Sequence, residues 1–299
     1  TCKALHYAQE IFEGLKAYIN PKGEPVLFRP EMNAERFNHS ARMMAMPELP
    51  IETFMEATHA ISWMTREFIP KESGSSLYIR PFMFSIEESL GIKPSEKFRF
   101  MIIASPSASY FSQGSLPVYI ERKAIRACTG GVGTAKTGGN YAAGLASSVR
   151  AQEHGCLQTL WLDAIEHKLI EEMSGMNFMC VIDGVLHTPK LTDTILAGIT
   201  RDSILTIAKE MNIEVQESSL EINQILEYCK SEKCTEAFAC GTAVIITPIS
   251  KFVEDGGSET ALKFPQGNIC MEIRKKLLNV QEAREPGPAG WSIPVKNLP

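Results

Sequence analysis

A mixed α/β fold in two lobes is what this chain predicts, on three observations. Strand-like and helix-like segments alternate through the first hundred residues. A Ser-, Pro- and Gly-rich stretch without periodicity, PSASYFSQGSLP over 106–117, then divides the chain. Beyond it, short strands mix with helices without a regular strand–helix–strand repeat. A length of 299 residues carries a soft expectation of about two domains. The expected division is a small N-terminal domain over 1–108, an interdomain loop over 109–118 and a large domain over 119–299.

LKAYIN (15–20) and PVLFR (25–29) flank Pro21-Lys22-Gly23 and read as a hairpin. Asn33 is expected to cap a helix in which Phe37, Ala41 and Met44 share a face, ended by Pro47 and Pro50. A second helix is expected over 52–68, with Phe54, Ala57, Ile61, Met64 and Phe68 at helical spacing. LYIRPFMFSI (77–86) and FRFMIIAS (98–105) read as strands. A strand over 117–127 should lead into a glycine-rich loop and a helix near 142–154 closed by Gly155. Short strands are expected over 157–163, 166–171 and 177–182, with Asp183-Gly184 as a tight turn. Helices near 200–211 and 219–230, one strand over 236–249 and a helix near 266–280 complete the domain. The stretch EAREPGPAGWSIPVKNLP is expected as loop or extended chain.

Hydrophobic content of 44% with 22% charged residues suits a soluble globular protein with a substantial core. The net charge of -5 argues against nucleic-acid and membrane-surface partners, which need a basic face. No apolar run approaches the roughly 18 residues of a membrane span. Cytoplasmic placement is the expectation, with a mitochondrial one left open because the chain begins at Thr1 and reads as lacking some N-terminal sequence. The eight cysteines form no CxxC pair and no metal-ligand spacing, so free, mostly buried thiols and no metal site are expected.

The most informative stretch is Gly130 to Tyr141, GGVGTAKTGGNY, which sets Lys136 between glycine-rich turns. One reading is a phosphate loop, since GGVGTAKT nearly satisfies G-x-x-x-x-G-K-[ST] and LQTLWLD ends in Asp163 as a Walker-B-like run. Against it, Ala135 replaces the glycine before the lysine, and Gly138 and Gly139 stand where a helix should begin. The other reading is a lysine that binds a carbonyl cofactor such as pyridoxal 5′-phosphate (PLP), which requires its amine on a rigid turn. A surface lysine in a flexible turn is the plainest alternative, but it leaves the glycines and Asn140-Tyr141 unexplained.

With that stretch in view, the chain resembles the branched-chain aminotransferases, PLP enzymes of fold type IV. The likeness runs in order through HYAQEIFEGLKAY (6–18), FRPEMNAERFNHSARMMAMP (28–47), YIRPF (78–82), IEEMSGMNF (170–178), TPKLTDTILAGITRDSI (188–204) and ACGTAVIITPI (239–249). The resemblance implies two domains, a small N-terminal and a larger C-terminal one. It implies PLP bound covalently to Lys136, which also serves as the proton-transfer base. It further implies Tyr141 on the cofactor's phenolic oxygen and Glu172 on its pyridine nitrogen, with Glu171 solvent-facing on the other side of the strand. Arg36 would meet the phosphate. So would the amides of Ile199 and Thr200 at a helix start, with Gly198 leaving room, and the Thr242 hydroxyl beside Gly241.

For substrate, the resemblance implies a pocket of Phe12, Tyr78, Tyr110, Tyr141 and Ala243, with Tyr7 supplied by a second subunit and hence a homodimer. Arg80 would meet the distal carboxylate of glutamate, and the Thr242 and Ala243 amides the α-carboxylate. Branched-chain L-amino acids and 2-oxoglutarate would be the substrates, in a ping-pong reaction. The chain departs from the family at Val244 and Thr247, where mammalian members carry a CxxC pair, in the absence of the family's first strands, and before WSIPV. D-amino-acid aminotransferase and aminodeoxychorismate lyase share the fold and remain alternatives. So do a PLP-binding homologue without catalysis and, from another class, a P-loop NTPase.

Overall fold

The computed structural model describes residues 1–108 and 114–297. The chain forms two compact units, one of Thr1–Tyr110, Ala135–Gly139 and Leu278–Pro299, the other of Phe111–Thr134 and Asn140–Leu277.

The first unit begins with α1 (Lys3–Tyr7), β1 (Glu10–Phe12), β2 (Leu15–Ile19), β3 (Pro25–Phe28), α2 (Pro30–Met43) and α3 (Ile51–Met64). A short 3₁₀ turn, Arg66–Phe68, precedes the long strands β4 (Ser76–Ser85) and β5 (Phe98–Ser107). The expected hairpin is β2–β3, paired from Ala17↔Leu27 to Ile19↔Pro25. β4 organises the antiparallel sheet, pairing with β1, with β2 and, along its whole length, with β5. Phe37 and Ala41 of α2 and Phe54 of α3 pack with Ile11 of β1 and Met83 of β4. The Phe37 ring lies 5.5 Å from Phe54 and 5.7 Å from Phe100.

Two expectations about these helices are corrected. α2 opens one turn earlier than Asn33, because Pro30 occupies its start with φ preset for a helix and Arg29 turns the chain at φ 49°. Asn33 is therefore inside the helix and 2% exposed. In the second helix Phe54 is buried, but Met64 and Phe68 are exposed. The α-helix ends at Met64, and the tighter turn after it carries Phe68 off the buried face.

The second unit contains β6 (Leu116–Glu121), α4 (Gly138–Ala142, entered from the first unit), α5 (Leu145–Glu153), β7 (Gln158–Leu162), β8 (Ile170–Met173), β9 (Met176–Ile182) and β10 (Val185–Pro189). It continues with α6 (Ile199–Glu210), β11 (Val215–Ser218), α7 (Ile222–Lys230), β12 (Cys234–Gly241), β13 (Ile245–Val253), β14 (Glu259–Ala261) and α8 (Ile269–Gln281). The strand order is β11-β10-β9-β12-β13-β6-β7-β8, with β14 beside β13. β8 also pairs with β9, so six of these strands close into a barrel-like ring.

Asp183 and Gly184 turn β9 into β10 with φ 50° and 84°, as a tight hairpin requires. The single strand expected over 236–249 is instead two, β12 and β13, paired antiparallel from Phe238↔Pro248 to Gly241↔Ile245. The apolar run had masked a turn at 242–244, closed by Ile245 at φ 66°, which a β-branched residue rarely adopts. Ile222, Ile225 and Leu226 of α7 pack with Phe178, Ala239 and Phe252 of the sheet.

The C-terminal stretch is not featureless. β15 (Ser292–Pro294) pairs with β3, and Trp291 meets Phe28 edge-on at 5.5 Å. The contact division groups the chain from Leu278 with the first unit, where the expectation set 119–299 as the large domain. The first half of the expected interdomain loop over 109–118 falls outside the described residues, and its end, from Leu116, is strand. Among the described residues no helix is long and apolar enough to cross a membrane, and no group of side chains could hold a metal. Cys156, Cys180, Cys229, Cys234, Cys240 and Cys270 are buried free thiols, while Cys128 is exposed.

Asp163, after β7, folds the following turn by accepting the amides of Ile165, Glu166, Lys168 and Leu169. Partial burial works to raise its carboxyl, but the four amide donors outweigh that and hold it at about 2. A depressed carboxyl contributes stability that is complete above its unfolded value of about 4 and is lost as pH falls through the folded value. Asp163→Asn should therefore flatten the loss of melting temperature between pH 4 and pH 2 relative to the parent, as followed by circular dichroism.

Candidate active site

In the first unit, the turn that carries Lys136 is fastened by its backbone. The Lys136 N–H donates to the Ser40 hydroxyl at 2.9 Å, and its carbonyl accepts from the Phe12 N–H at 3.0 Å. The Thr137 hydroxyl donates to the Glu10 carbonyl at 2.7 Å, and the Gly138 N–H donates to the Glu10 carboxylate. A Cβ on Gly138 would lie 2.5 Å from that carboxylate oxygen, so this glycine serves the close approach. Burial raises the Glu10 carboxyl above its ordinary range, with the Gly138 amide and Arg80 opposing.

The Lys136 Nζ lies 4.9 Å from the Phe12 ring centroid, and the Arg80 guanidinium 4.6 Å from the same ring. Tyr78 and Arg80, two apart on β4, share one side of the strand, and Arg80 donates to the Tyr78 hydroxyl at 2.8 Å. Gly14 makes room for that phenol, since a Cβ there would stand 2.2 Å from its oxygen. Phe12, Tyr78, Arg80 and Lys136 are thus brought together. Tyr7 is not among them: it is 42% exposed on α1 and donates to the Leu90 carbonyl at 2.6 Å.

Arg36 lies in the second turn of α2 and is engaged from its side by Glu13, Nε to Oε1 at 2.7 Å and Nη2 to Oε2 at 2.9 Å. Asn33, Arg36 and Ser40 recur along one face of α2, so the helix that presents the arginine also holds the lysine's amide.

In the second unit, Glu172 of β8 is 3% exposed and sits opposite Asn177 of β9. It accepts from the Leu196 N–H at 2.9 Å and from the Asn177 amide at 3.4 Å. Its oxygen lies 3.1 Å from Arg126 Nε, an ion pair whose angle does not make a hydrogen bond. Arg126 also donates to the carbonyls of Gly133 and Thr194. Glu171 is not solvent-facing as expected. It is 8% exposed and accepts the Thr194 hydroxyl at 2.6 Å. Burial raises its carboxyl, with the Thr194 hydroxyl and Arg126 opposing. Both sides of β8 are covered, so alternation separates the two carboxylates without exposing either.

Tyr141 is 39% exposed on α4, with its ring edge 3.4 Å from where a Gly175 Cβ would be. Ile199 and Thr200 are the first buried residues of α6, after Gly198. The space at Gly198 is taken by the Asn177 side chain, whose oxygen would stand 1.9 Å from a Cβ there. Thr242 is half-buried and Ala243 exposed, both in the turn before Ile245. Tyr110 lies outside the described residues.

The glycine loop is explained by packing. Asp193 accepts the Gly130 N–H at 3.0 Å, and a Cβ on Gly133 would stand 2.8 Å from the Thr194 Cα. A carboxylate bound to the Gly130 amide and the Thr129 hydroxyl brings the wrong charge for a phosphate cradle, which removes the P-loop reading.

A profile of the class IV amino-transferases matches residues 10–252. The chain belongs to the class IV aminotransferases. Among curated relatives, a probable branched-chain-amino-acid aminotransferase of Streptomyces coelicolor is 43% identical over 290 residues, covering 96% of this chain and 80% of its own. Branched-chain-amino-acid transaminase 1 of Bacillus subtilis is 39% identical over 294 residues, covering 97% and 83%. Among solved structures, the branched-chain amino acid aminotransferase of Escherichia coli superposes with a TM-score of 0.84 at 29% identity, covering 99% of this chain and 93% of that one. The branched-chain amino acid aminotransferase of Thermobaculum terrenum, solved in its PLP form, gives a TM-score of 0.83 at 25% identity, covering 97% and 90%.

In this class IV aminotransferase, sequence reasoning missed Glu10, Glu13, Ser40 and Arg126. The polar residues at 33, 36 and 40 on an otherwise apolar helix face were a readable signal for Ser40. Nothing in the local pattern pointed to Arg126, whose partners Glu172 and Thr194 lie 46 and 68 positions away.

Arg126→Met should lower the urea midpoint of unfolding strongly, by an amount equivalent to about 3–5 kcal/mol, because it strands the Glu172 charge in a buried site. Arg126→Met/Glu172→Gln should recover part of that loss. A double variant no more stable than the single one would show that the ion pair is not the source.

Proposed function

We propose that this protein is a PLP-dependent branched-chain-amino-acid transaminase that passes the amino group of leucine, isoleucine or valine to 2-oxoglutarate by a ping-pong scheme. The observation that carries the reading is the Lys136 turn, whose amine is presented from a backbone hydrogen-bonded on both sides of the residue. The names of the relatives support it, as does the PLP form of the Thermobaculum terrenum structure.

The residues present have the donor set that PLP calls for. They offer an amine on a fixed turn, a buried carboxylate paired with a guanidinium, and an arginine held by its side edge. Among the described residues, Arg80 Nε is buried without a hydrogen-bond partner, which suits a donor for an incoming carboxylate. When bound, PLP supplies an aldehyde carbon that takes up the amino group and a ring that withdraws electrons from the substrate Cα.

In this reading Lys136 would hold the cofactor covalently, and its amine would be the base that moves a proton at the substrate Cα. Glu172 holds a proton at the pyridine nitrogen, and Tyr141 donates to the phenolic oxygen. Arg36, the amides of Ile199 and Thr200, and the Thr242 hydroxyl bind the phosphate. Phe12, Tyr78, Tyr110, Tyr141 and Ala243 surround a branched aliphatic side chain. Arg80 pairs with the distal carboxylate when glutamate occupies the same place. The Thr242 and Ala243 amides receive the α-carboxylate, and Tyr7 serves a second copy of the chain in a homodimer.

Borohydride reduction of the yellow protein should fix PLP to the peptide containing Lys136. Lys136→Ala should lose at least about a hundredfold in turnover, and normal transamination by that variant would end the proposal. L-Leucine should outperform D-alanine and aminodeoxychorismate as substrate; the reverse order would select one of the sister activities. Light scattering should give twice the chain mass, and a fully active monomer would contradict the role given to Tyr7.

A further inference from the structure

Asn177 of β9 lies between Glu172 of β8 and Cys240 of β12, so its backbone is fixed from both sides. The residue is 6% exposed, and its side chain reaches the segment that enters α6. Its amide Nδ2 donates to the Leu196 carbonyl at 2.9 Å and, more loosely, to the Glu172 carboxylate at 3.4 Å. The Leu196 N–H donates to the same carboxylate oxygen at 2.9 Å, which closes a ring of three groups. The other end of the amide, Oδ1, fills the space beside Gly198. A Cβ there would meet that oxygen at 1.9 Å and the amide carbon at 3.1 Å. Gly198 has φ -71° and ψ 126°, angles open to any residue, so its backbone does not by itself require a glycine. The Asn177 side chain does. The Gly198 carbonyl then accepts the Asp202 N–H at 3.0 Å, the first bond of α6.

We propose that Asn177 is a positioning residue for the cofactor's phosphate: by seating the chain at Gly198 it fixes where the Ile199 and Thr200 amides point. This rests on the reading of those amides given above. The seat has two parts, a hydrogen bond to the Leu196 carbonyl and direct contact with Gly198. Two backbone donors can receive one phosphate only if they point at it together, and they move only with the chain that carries them. Asn177 ties that chain to a strand paired on both edges, so the helix start inherits the rigidity of the sheet. The same Nδ2 touches Glu172, so one side chain keeps the ring-nitrogen carboxylate and the phosphate helix in register.

The test compares the affinities of the full chain, stripped of cofactor, for PLP and for pyridoxal, which lacks the phosphate, by absorbance titration. Asn177→Ala should lower the PLP-to-pyridoxal affinity ratio by about tenfold, because misaimed amides lose much of their grip on the phosphate. Gly198→Ala should lower the ratio by a similar factor, since its Cβ displaces the same seat. It should also lower the melting temperature of the cofactor-free chain by about 2 °C or more. On the Asn177→Ala background that obstruction is gone, and the Arg201 Cβ at 3.3 Å is the next neighbour. Adding Gly198→Ala there should lower neither quantity further.

A ratio unchanged in Asn177→Ala, whatever its melting temperature, overturns the positioning role and leaves a packing residue. Gly198→Ala that proves harmless beside the native Asn177 overturns the seat. Fully additive losses in the double variant overturn it too, because the two residues would then act separately. A parent protein that binds PLP no more tightly than pyridoxal overturns the phosphate reading of α6, and this inference with it. The melting series separates that failure from a failed seat, since it needs no cofactor. Should Asn177→Ala not accumulate as folded protein, Asn177→Ser carries the same comparison, because its shorter side chain vacates the same space.

Discussion

A lysine can serve as a covalent anchor only if its backbone stays where the chemistry needs it, and here the Lys136 peptide is tied on both sides. Its N–H is taken by Ser40 of α2 and its carbonyl by the Phe12 amide of β1. Thr137 and Gly138 add two more bonds to Glu10. The five residues Ala135–Gly139 consequently belong with the first unit although the chain on either side belongs to the second. The glycines that made this stretch conspicuous are used at contact distance. Gly138 admits the Glu10 carboxylate, and Gly133 admits the backbone of Thr194. Rigidity comes from those contacts, so the loop is fixed where a glycine-rich sequence would suggest freedom.

The same unit concentrates positive charge around a single ring. Lys136 and Arg80 both lie over Phe12, and Arg36 stands on the face of α2 that also holds the Lys136 amide. Three cations so placed need anions, and the buried Glu13 and the half-buried Glu10 supply carboxylates beside them. In the second unit the balance is reversed. Glu171 and Glu172 occupy adjacent positions on β8 with Arg126 as the shared cation, while the loop through 192–196 brings hydroxyl and amide donors to both. Each unit thus meets the cost of burying charge internally, from its own residues.

Periodicity and turn chemistry made much of the fold legible. The β2–β3 hairpin, β4 and β5, the helices at 199–210 and 222–230 and the turn at Asp183-Gly184 all follow from local pattern. The failures share a cause. Asn33 looked like a cap because caps and buried network donors draw on the same short polar side chains. The run over 236–249 looked like one strand because the turn at 242–244, closed by Ile245 at positive φ, has only Gly241 before it as a turn signal. The last residues looked featureless because β15 is only three residues long and exists by pairing with β3 from the far end of the chain.

What the sequence determined by itself was a set of reactive residue types in order: a lysine between glycine turns, a tyrosine five positions on, a pair of acids on one strand and a helix start after Gly198. Those are residue types at fixed spacing, and covalent structure carries them whatever the fold. What only the tertiary structure decided was the company each group keeps. Glu13 faces Arg36, Arg126 faces Glu172, and Glu171 is buried against Thr194. Such pairings join residues 23 to 46 positions apart, where no local periodicity reaches. They are selected because a charge removed from water is stable only beside the partner that the folded chain delivers to it.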